Sequence, residues 1–409
     1  MVKKNKGNTR YTLDNQFYVE MYINDEPMYY DPSTFEEFSI VQNTINLVPS
    51  FKFVISGEAT GRFSNFYNPG DLNNIEVEMG NARTGERLIN SQWRMFGSPK
   101  YEPGGNNSER VTVLCILDVI KYFRSMVQDV PEDKNKNLFI NASDAIRWIT
   151  KECSLNTINY SGEDTIDKTN DKQYWLPRRN TFCSFAHDIC NHSWINDRGI
   201  FSLALDEERT LFFKNISELA KKNPRTQFLH TQSQKIIEKT YGVIDYQIKN
   251  FSGMLNNWAA YHLKSTQEKI DGSFDEFEEI NAVRQSNYFE IGKSINKEID
   301  ENRVIHRPIE TKNTHDNFEN ALHQNKRGRT FYGTFIDILV ENITKNDLYD
   351  IVRLDLIEPV SRRTNTSNKT YSGNYIITAK TRIIKGTRYY EKLRLATQGR
   401  MLDNFEREK

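Results

Sequence analysis

The sequence predicts a mainly β protein interrupted by a small α/β insertion, and three observations predict it. Six short strand-like segments separated by turn signals fall within roughly the first hundred residues. Helical spacing then takes over between Leu117 and Glu152, and again after Thr181. Two long alternating segments close the chain, between Tyr375 and Ala396. The expected plan is a β domain over 1–126, a mixed domain over 127–225 and a second β domain over 226–409.

Residues 1–10 are polar and read as an arm. Phe17–Ile23, Phe35–Val41 and Phe51–Ser56 are β-rich and separated by Asp-Glu-Pro, Asp-Pro and Val-Pro signals. Ile75–Met79, Glu86–Phe96 and Arg110–Cys115 continue the pattern, with Arg83-Thr84-Gly85-Glu86 as a hairpin turn. Leu117–Val127 has helical spacing, and Ser143 is placed to cap a helix through Glu152 that buries Ile146 and Ile149. Thr181 is a second cap, for a helix running to Trp194 with Phe182, Phe185, Ala186, Ile189 and Cys190 on its inner face. Phe201–Leu205 and Thr210–Lys214 form a hairpin, and Ser217 starts a short helix. Strands resume at Val243–Ile248 and Trp258–Lys264, and Asp271–Asn296 reads as an acidic excursion. Asn317–Lys326 is a helix ending at Gly328. Arg329–Glu341 and Leu348–Ile357 are strands, with Glu358-Pro359 ending the second and a polar loop over 361–370.

The closing hairpin organises the rest. Tyr375, Ile377, Ala379, Thr381 and Ile383 share one face, and Ile376, Thr378, Lys380, Arg382 and Ile384 share the other. Lys385-Gly386 is the turn, because glycine accepts the positive φ that a tight hairpin demands. Tyr389, Glu391, Leu393 and Leu395 alternate against Tyr390, Lys392, Arg394 and Ala396 on the return strand. Neither face is wholly polar. One face is therefore expected in a core and the other against neighbouring chains or a solvated lumen, which makes Tyr375, Ile377, Tyr389, Tyr390 and Leu393 interface candidates.

Composition narrows the functional classes. The 409 residues carry 55 basic and 55 acidic side chains, so the electrostatic footprint of a dedicated nucleic-acid binder is missing. Aromatic residues reach 12%, the kind that build β cores and subunit interfaces. Four cysteines, unevenly spaced, do not make a disulfide framework in a chain of this size. The basic start Met1-Val2-Lys3-Lys4 leads into no apolar region, and no stretch reaches the length needed to span a bilayer. The expectation is a protein made in the cytoplasm without membrane insertion.

One constellation invites a metal. Cys183, His187 and Cys190 fall at i, i+4 and i+7, with His192 nearby. An unbroken helix, however, spreads positions i and i+7 about 10 Å apart, whereas a structural zinc knuckle bends the chain around its ion. An amphipathic helix with cysteines packed as small hydrophobes is the expectation, with no metal and no cofactor. Walker, Gly-x-Gly-x-x-Gly and Gly-x-Ser-x-Gly signatures are absent from the sequence.

Tyr371-Ser372-Gly373-Asn374-Tyr375-Ile376-Ile377-Thr378, then a turn, then Arg388-Tyr389-Tyr390-Glu391-Lys392-Leu393-Arg394-Leu395 resembles the closing hairpin of phage baseplate-hub proteins. That family includes contractile-tail central hubs, the late control protein D group and the bases of type VI secretion spikes. Leu176-Pro177-Arg178-Arg179-Asn180-Thr181-Phe182, leading into a helix, is similar to the hub's entry to its mixed domain. The chain departs from the pattern at Asn346-Asp347, where relatives often carry a glycine turn. The resemblance implies two tail-tube-like β-barrel domains joined by the mixed domain, and a homotrimer. Three chains with two barrels each would form a pseudo-sixfold ring between the hexameric tail tube and the trimeric central spike. Baseplate wedge and tape measure proteins are further implied partners, and DNA would only pass through the lumen. Such a protein resides in the virion. The alternative class is a tail-associated enzyme, zinc-dependent or cell-wall-degrading, in the mixed domain. It would need a pair of carboxylates in a cleft, and no segment singles one out.

Overall fold

A computed structural model describes residues 10–44, 48–103, 109–177, 179–196, 199–219, 221–230, 240–250, 264–269, 277–280, 304–309, 315, 317–318, 321–322, 324–325, 332, 334–361, 364–367 and 371–397. Seventeen of the described strands pair into one continuous, mainly antiparallel sheet that curls around two hydrophobic cores.

The first core is enclosed by strands that the alternation of the sequence places well. Phe17–Ile23 pairs with Asn74–Asn81, which pairs with Arg87–Met95. Phe35–Asn43 pairs with Ser50–Ser56, and that strand with Glu109–Leu117, which also meets Arg87–Met95. Inward positions carry Phe38, Phe51, Phe53 and Trp93, all buried, with Phe51 and Trp93 ring centroids 5.7 Å apart. A helix over Glu58–Phe66, absent from the sequence expectation, follows Gly57 at φ +62 and buries Phe63. Its aromatic and glycine content masks its period.

The mixed segment packs onto the same core. Glu109–Leu117 takes Leu117, the residue expected to begin a helix, and the helix shortens to Ile120–Arg124. The next helix is Ala142–Glu152, with Asn141 rather than Ser143 at its cap; Ser143 is buried and receives no capping role. Thr181 does cap Phe182–Asn191, its side chain accepting from the Ser184 amide at 3.3 Å. Phe201–Leu205 and Leu211–Asn215 form the expected hairpin, followed by Ile216–Leu219.

Around the second core, Thr226–His230 pairs with Ile351–Ser361 in parallel, and Asp245–Asn250 pairs with Thr334–Val340. Ile351–Ser361 runs past Pro359 and pairs with Thr364–Ser367, so the proline does not end it and part of the expected polar loop is strand. A bulge between Pro359 and Ser361 accommodates the missing amide. The strand also starts later than expected. Tyr349 adopts φ +69, and the Asp350 carboxylate accepts from the Asp347 amide at 2.8 Å, so 347–350 is a turn. A tyrosine thus stands in the left-handed region, where glycine would meet less resistance. Its buried ring and a 2.7 Å hydrogen bond between its hydroxyl and Ser202 hold it there.

Lys264–Lys269, Phe277–Ile280 and Val304–Ile309 form a separate three-stranded sheet. The expectations for 1–9, 258–263, the rest of 271–296 and 326–331 lie outside the described residues. Of the expected Asn317–Lys326 helix, Phe318, Ala321, Leu322, Gln324 and Asn325 are helical.

Gly373–Lys385 and Arg388–Thr397 form the closing hairpin, and it belongs to both cores. Ile351–Leu354 pairs with its base, Gly373–Ile376, while Phe38–Asn43 pairs with its outer part, Ala379–Ile384. Between them the register shifts at Ile377/Ala379, leaving Thr378 as the extra residue of a bulge. The bulge exchanges faces. Tyr375 and Ile377 point into the second core, but beyond Thr378 it is Lys380, Arg382 and Ile384 that are buried, not Ala379, Thr381 and Ile383. The tip is fastened to the loops between the first strands: Tyr30 donates to the Gly386 carbonyl at 2.6 Å, and Asn15 donates to the Tyr389 carbonyl at 2.8 Å.

Gly386 lies at the turn with φ +59, and a Cβ there would meet nothing within 4 Å. Backbone conformation alone therefore resists substitution. Gly386→Val is expected to cost about 1–3 kcal/mol, measured as a lower denaturation midpoint. An unchanged midpoint would show that the turn relaxes without consequence.

Candidate functional site: a charged junction between the two cores

The bulge places two cations where the cores meet. Arg382 is 5% exposed and donates from Nε to Glu207 Oε1 at 2.6 Å, and from Nη1 to Glu391 Oε2 at 2.8 Å and to the Tyr389 hydroxyl at 3.0 Å. Tyr389 in turn donates to Glu391 Oε2 at 3.0 Å. Glu391 also accepts from the Thr344 hydroxyl. Lys380 donates to the Asn346 carbonyl at 2.7 Å, and the Gln42 side chain accepts from the Glu207 amide at 3.0 Å. Five segments therefore converge: the Phe35–Asn43 strand, the 206–210 turn of the mixed segment, the 341–350 loop and both strands of the closing hairpin.

Each charge is there for a local reason. Glu207 sits at the tip of the Phe201–Asn215 hairpin, where the Asp206 carboxylate accepts from the Glu208 and Thr210 amides at 2.9 and 2.7 Å and shapes the turn. Glu391 shares the inward face of Tyr389, Leu393 and Leu395, so regular alternation carries it inside. Two glutamates and one guanidinium deprived of water are tolerable only with their hydrogen-bonding capacity used, and the planar fork of arginine serves two carboxylates at once. Burial alone would lower the guanidinium pKa, but Glu207, Tyr389 and Glu391 raise it well above its ordinary value. Burial, reinforced by Glu391, raises the Tyr389 phenol well above its own.

A second ionic cluster lies farther along the hairpin. Asp337, nearly buried, accepts from Arg394 Nε at 2.8 Å and Lys249 at 2.8 Å, and lies 3.2 Å from the Lys392 ammonium. Burial would raise its pKa, yet the hydrogen bonds from Arg394 and Lys249 hold it well below the carboxylate range.

The interface candidates fall differently from their expectation. Tyr375, Ile377, Tyr389 and Leu393 are each at most 2% exposed and fill this chain's own cores. Only Tyr390 is half-buried at the surface. The reason is that the sheet encloses the two cores and the hairpin turns its apolar face to them. The candidate metal ligands also separate. Cys183 lies against Tyr122, and burial pushes its thiol up to about 11. His192 stacks on Phe318 with centroids 3.8 Å apart. His187 and Cys190 line a cavity of about 310 Å³ with Phe201, Leu203, Ile216 and Asn325. Among the described residues no group of three or more histidine, cysteine, aspartate or glutamate side chains is arranged to hold a metal ion.

Compared as a sequence, the chain matches no family model and no curated protein. Compared as a structure, it is similar to the tail protein from Neisseria meningitidis MC58, with a TM-score of 0.53 at 11% identity, covering 93% of this chain and 96% of that one. The chain has a phage tail-protein fold. The 43 kDa tail protein of prophage MuSo2 from Shewanella oneidensis is similar to the same extent, with a TM-score of 0.51 at 11% identity and 93% and 96% coverage. The tail-protein fold thus runs through nearly the whole chain. Among the described residues, no helix is long and apolar enough to cross a membrane.

The junction residues Glu207, Arg382 and Glu391 did not stand out in the sequence. The available signal was the pair of cations Lys380 and Arg382 on a face otherwise made of Ile376, Thr378 and Ile384.

Proposed function

We propose that this protein is a structural hub subunit of a phage-like tail that works through its interfaces and not through catalysis. The observation that carries the reading is the tail-protein fold over 93% of the chain, with two sheet-enclosed cores joined by one hairpin. In this reading, three chains contribute two β-walled units each and present a pseudo-sixfold ring. The ring meets a hexameric tail tube on one side and a trimeric central spike on the other. Wedge and tape measure proteins are neighbours in the baseplate, and DNA passes through the lumen without being read.

The charged junction suits a rigid part better than an active site. Glu207 and Glu391 are the most buried carboxylates of the cluster, and Arg382 stands between them and engages both. A hydrolytic pair needs that space for a sugar and a water molecule.

The test is the mass of the particle in solution. Mass photometry is expected to find a species of three 48.0 kDa chains, and class averages a ring with threefold symmetry. A stable monomer at micromolar concentration, with or without neighbouring tail proteins, would overturn the reading.

A further inference from the structure

Lys380 is buried at the junction, yet among the described residues it makes no ion pair; its ammonium donates to the Asn346 main-chain carbonyl at 2.7 Å. Desolvated lysine amines of this kind serve as nucleophiles in covalent chemistry. Asn346, 1% exposed, lines the same space of about 30 Å³ as Lys380, Glu207 and Asp347. The Thr226 hydroxyl donates to Asn346 Oδ1 at 2.8 Å and polarises the side-chain amide. Asn346 Nδ2, Asp347 Oδ2 and Glu207 Oε2 have no protein partner, and the space has room for a water molecule that meets all three. An amine, a polarised amide and a carboxylate one water away from the amide nitrogen thus stand together, shielded from bulk solvent.

We propose that the chain modifies itself here, joining Lys380 Nζ to Asn346 Cγ in an isopeptide bond with release of ammonia. The lysine's terminal torsions turn Nζ from the main-chain oxygen to Cγ of the same residue. The Asp347 carboxylate, through the water, takes one proton from the Lys380 ammonium. The freed lone pair forms the Nζ–Cγ bond, and the carbonyl electrons move onto Oδ1, where the Thr226 hydroxyl stabilises them. As those electrons return, the Cγ–Nδ2 bond breaks and its electron pair leaves with Nδ2. That nitrogen takes one proton from Nζ and the one held by Asp347, and departs as the ammonium ion. Nothing is oxidised or reduced, and no co-reactant is consumed.

The surroundings single out the proton carrier. Glu207 is held through its other oxygen by Arg382 at 2.6 Å. The Asp347 carboxyl accepts no hydrogen bond among the described residues, and of the charges around it that of Lys380 acts on it most strongly. The departing ammonia is about the size of a water molecule, so the space that holds the water also accommodates it. The bond ties the 341–350 loop to the outgoing strand of the closing hairpin, beside the Arg382 network. It closes a covalent loop between positions 346 and 380, as a disulfide would. Each chain undergoes the reaction once, without turnover, and the reaction needs no second chain, so it stands apart from the assembly proposed above.

The experiment is intact mass and a tryptic map of the full chain, denatured and reduced. The parent is expected to be lighter than its sequence by one ammonia. Trypsin requires a free lysine, so it should fail to cleave after Lys380 and release residues 346–353 joined to residues 370–382 as one branched peptide. Lys380→Met and Asn346→Ala should each show their full mass, and Asp347→Ala should lose most of the branched peptide. A parent of full mass, cleaved after Lys380, would overturn the proposal. So would an ammonia loss with Lys380 still cleaved, which marks a succinimide at Asn346 instead. A branched peptide undiminished in Asp347→Ala would overturn the role given to that carboxylate. The parent's own map decides whether the bond exists, whatever the variants do to folding.

Discussion

Arg382→Met is expected to lower the unfolding free energy by about 3–5 kcal/mol, the cost of stranding a buried charge by removing its partner. Methionine keeps most of the volume, so the loss is electrostatic and not a packing defect. Glu207 and Glu391, 2% and 0% exposed, would remain as carboxylates without their shared cation. The loss is read from the urea midpoint. A companion variant with Glu207→Gln and Glu391→Gln added should recover more than half of it, since neutral amides need no counter-charge. A loss below about 1 kcal/mol in Arg382→Met would mean that water reaches the cluster and screens its charges. Because both hairpin strands meet there, assembly into the proposed trimer should fall together with stability.

Gly80→Ala is expected to cost about 3 kcal/mol, at the upper end of the overpacking range. Gly80 sits at the bulge where the Asn74–Asn81 strand meets Arg87–Met95. An added Cβ would overlap the Glu86 carbonyl oxygen and the ring of Tyr18, which is buried and donates to Glu78 at 2.9 Å. The obstacle differs from that at Gly386, where space is free and only the backbone angle resists. Adding Tyr18→Leu should restore little, because the Glu86 carbonyl belongs to the backbone and cannot rotate away. Near-complete rescue by Tyr18→Leu would show that the ring, not the backbone, sets the cost.

Much of the architecture was legible because it is locally encoded. Phe17–Ile23 begins and ends where its run of aromatic and aliphatic residues does, Thr181 caps its helix through its own hydroxyl, and glycine at 386 announces a left-handed turn. These features depend on residues a few positions apart. The closing hairpin was legible as two strands and a turn for the same reason. Its destination was not. Which edge a strand pairs with, and whether a bulge resets its faces, depends on partners more than 300 residues away, such as Phe38–Asn43 against Ala379–Ile384. Thr378 shifts the alternation by one, and with it Lys380 and Arg382 move from an apparent outer face into the interior. Side-chain parity has period two, so a single extra residue reverses every assignment beyond it. The sequence alone thus determined the strands, the helix cap and the turn. The tertiary structure decided that one hairpin serves two cores, because long-range pairing and the exclusion of water from Glu207, Arg382 and Glu391 exist only once the chain has closed on itself.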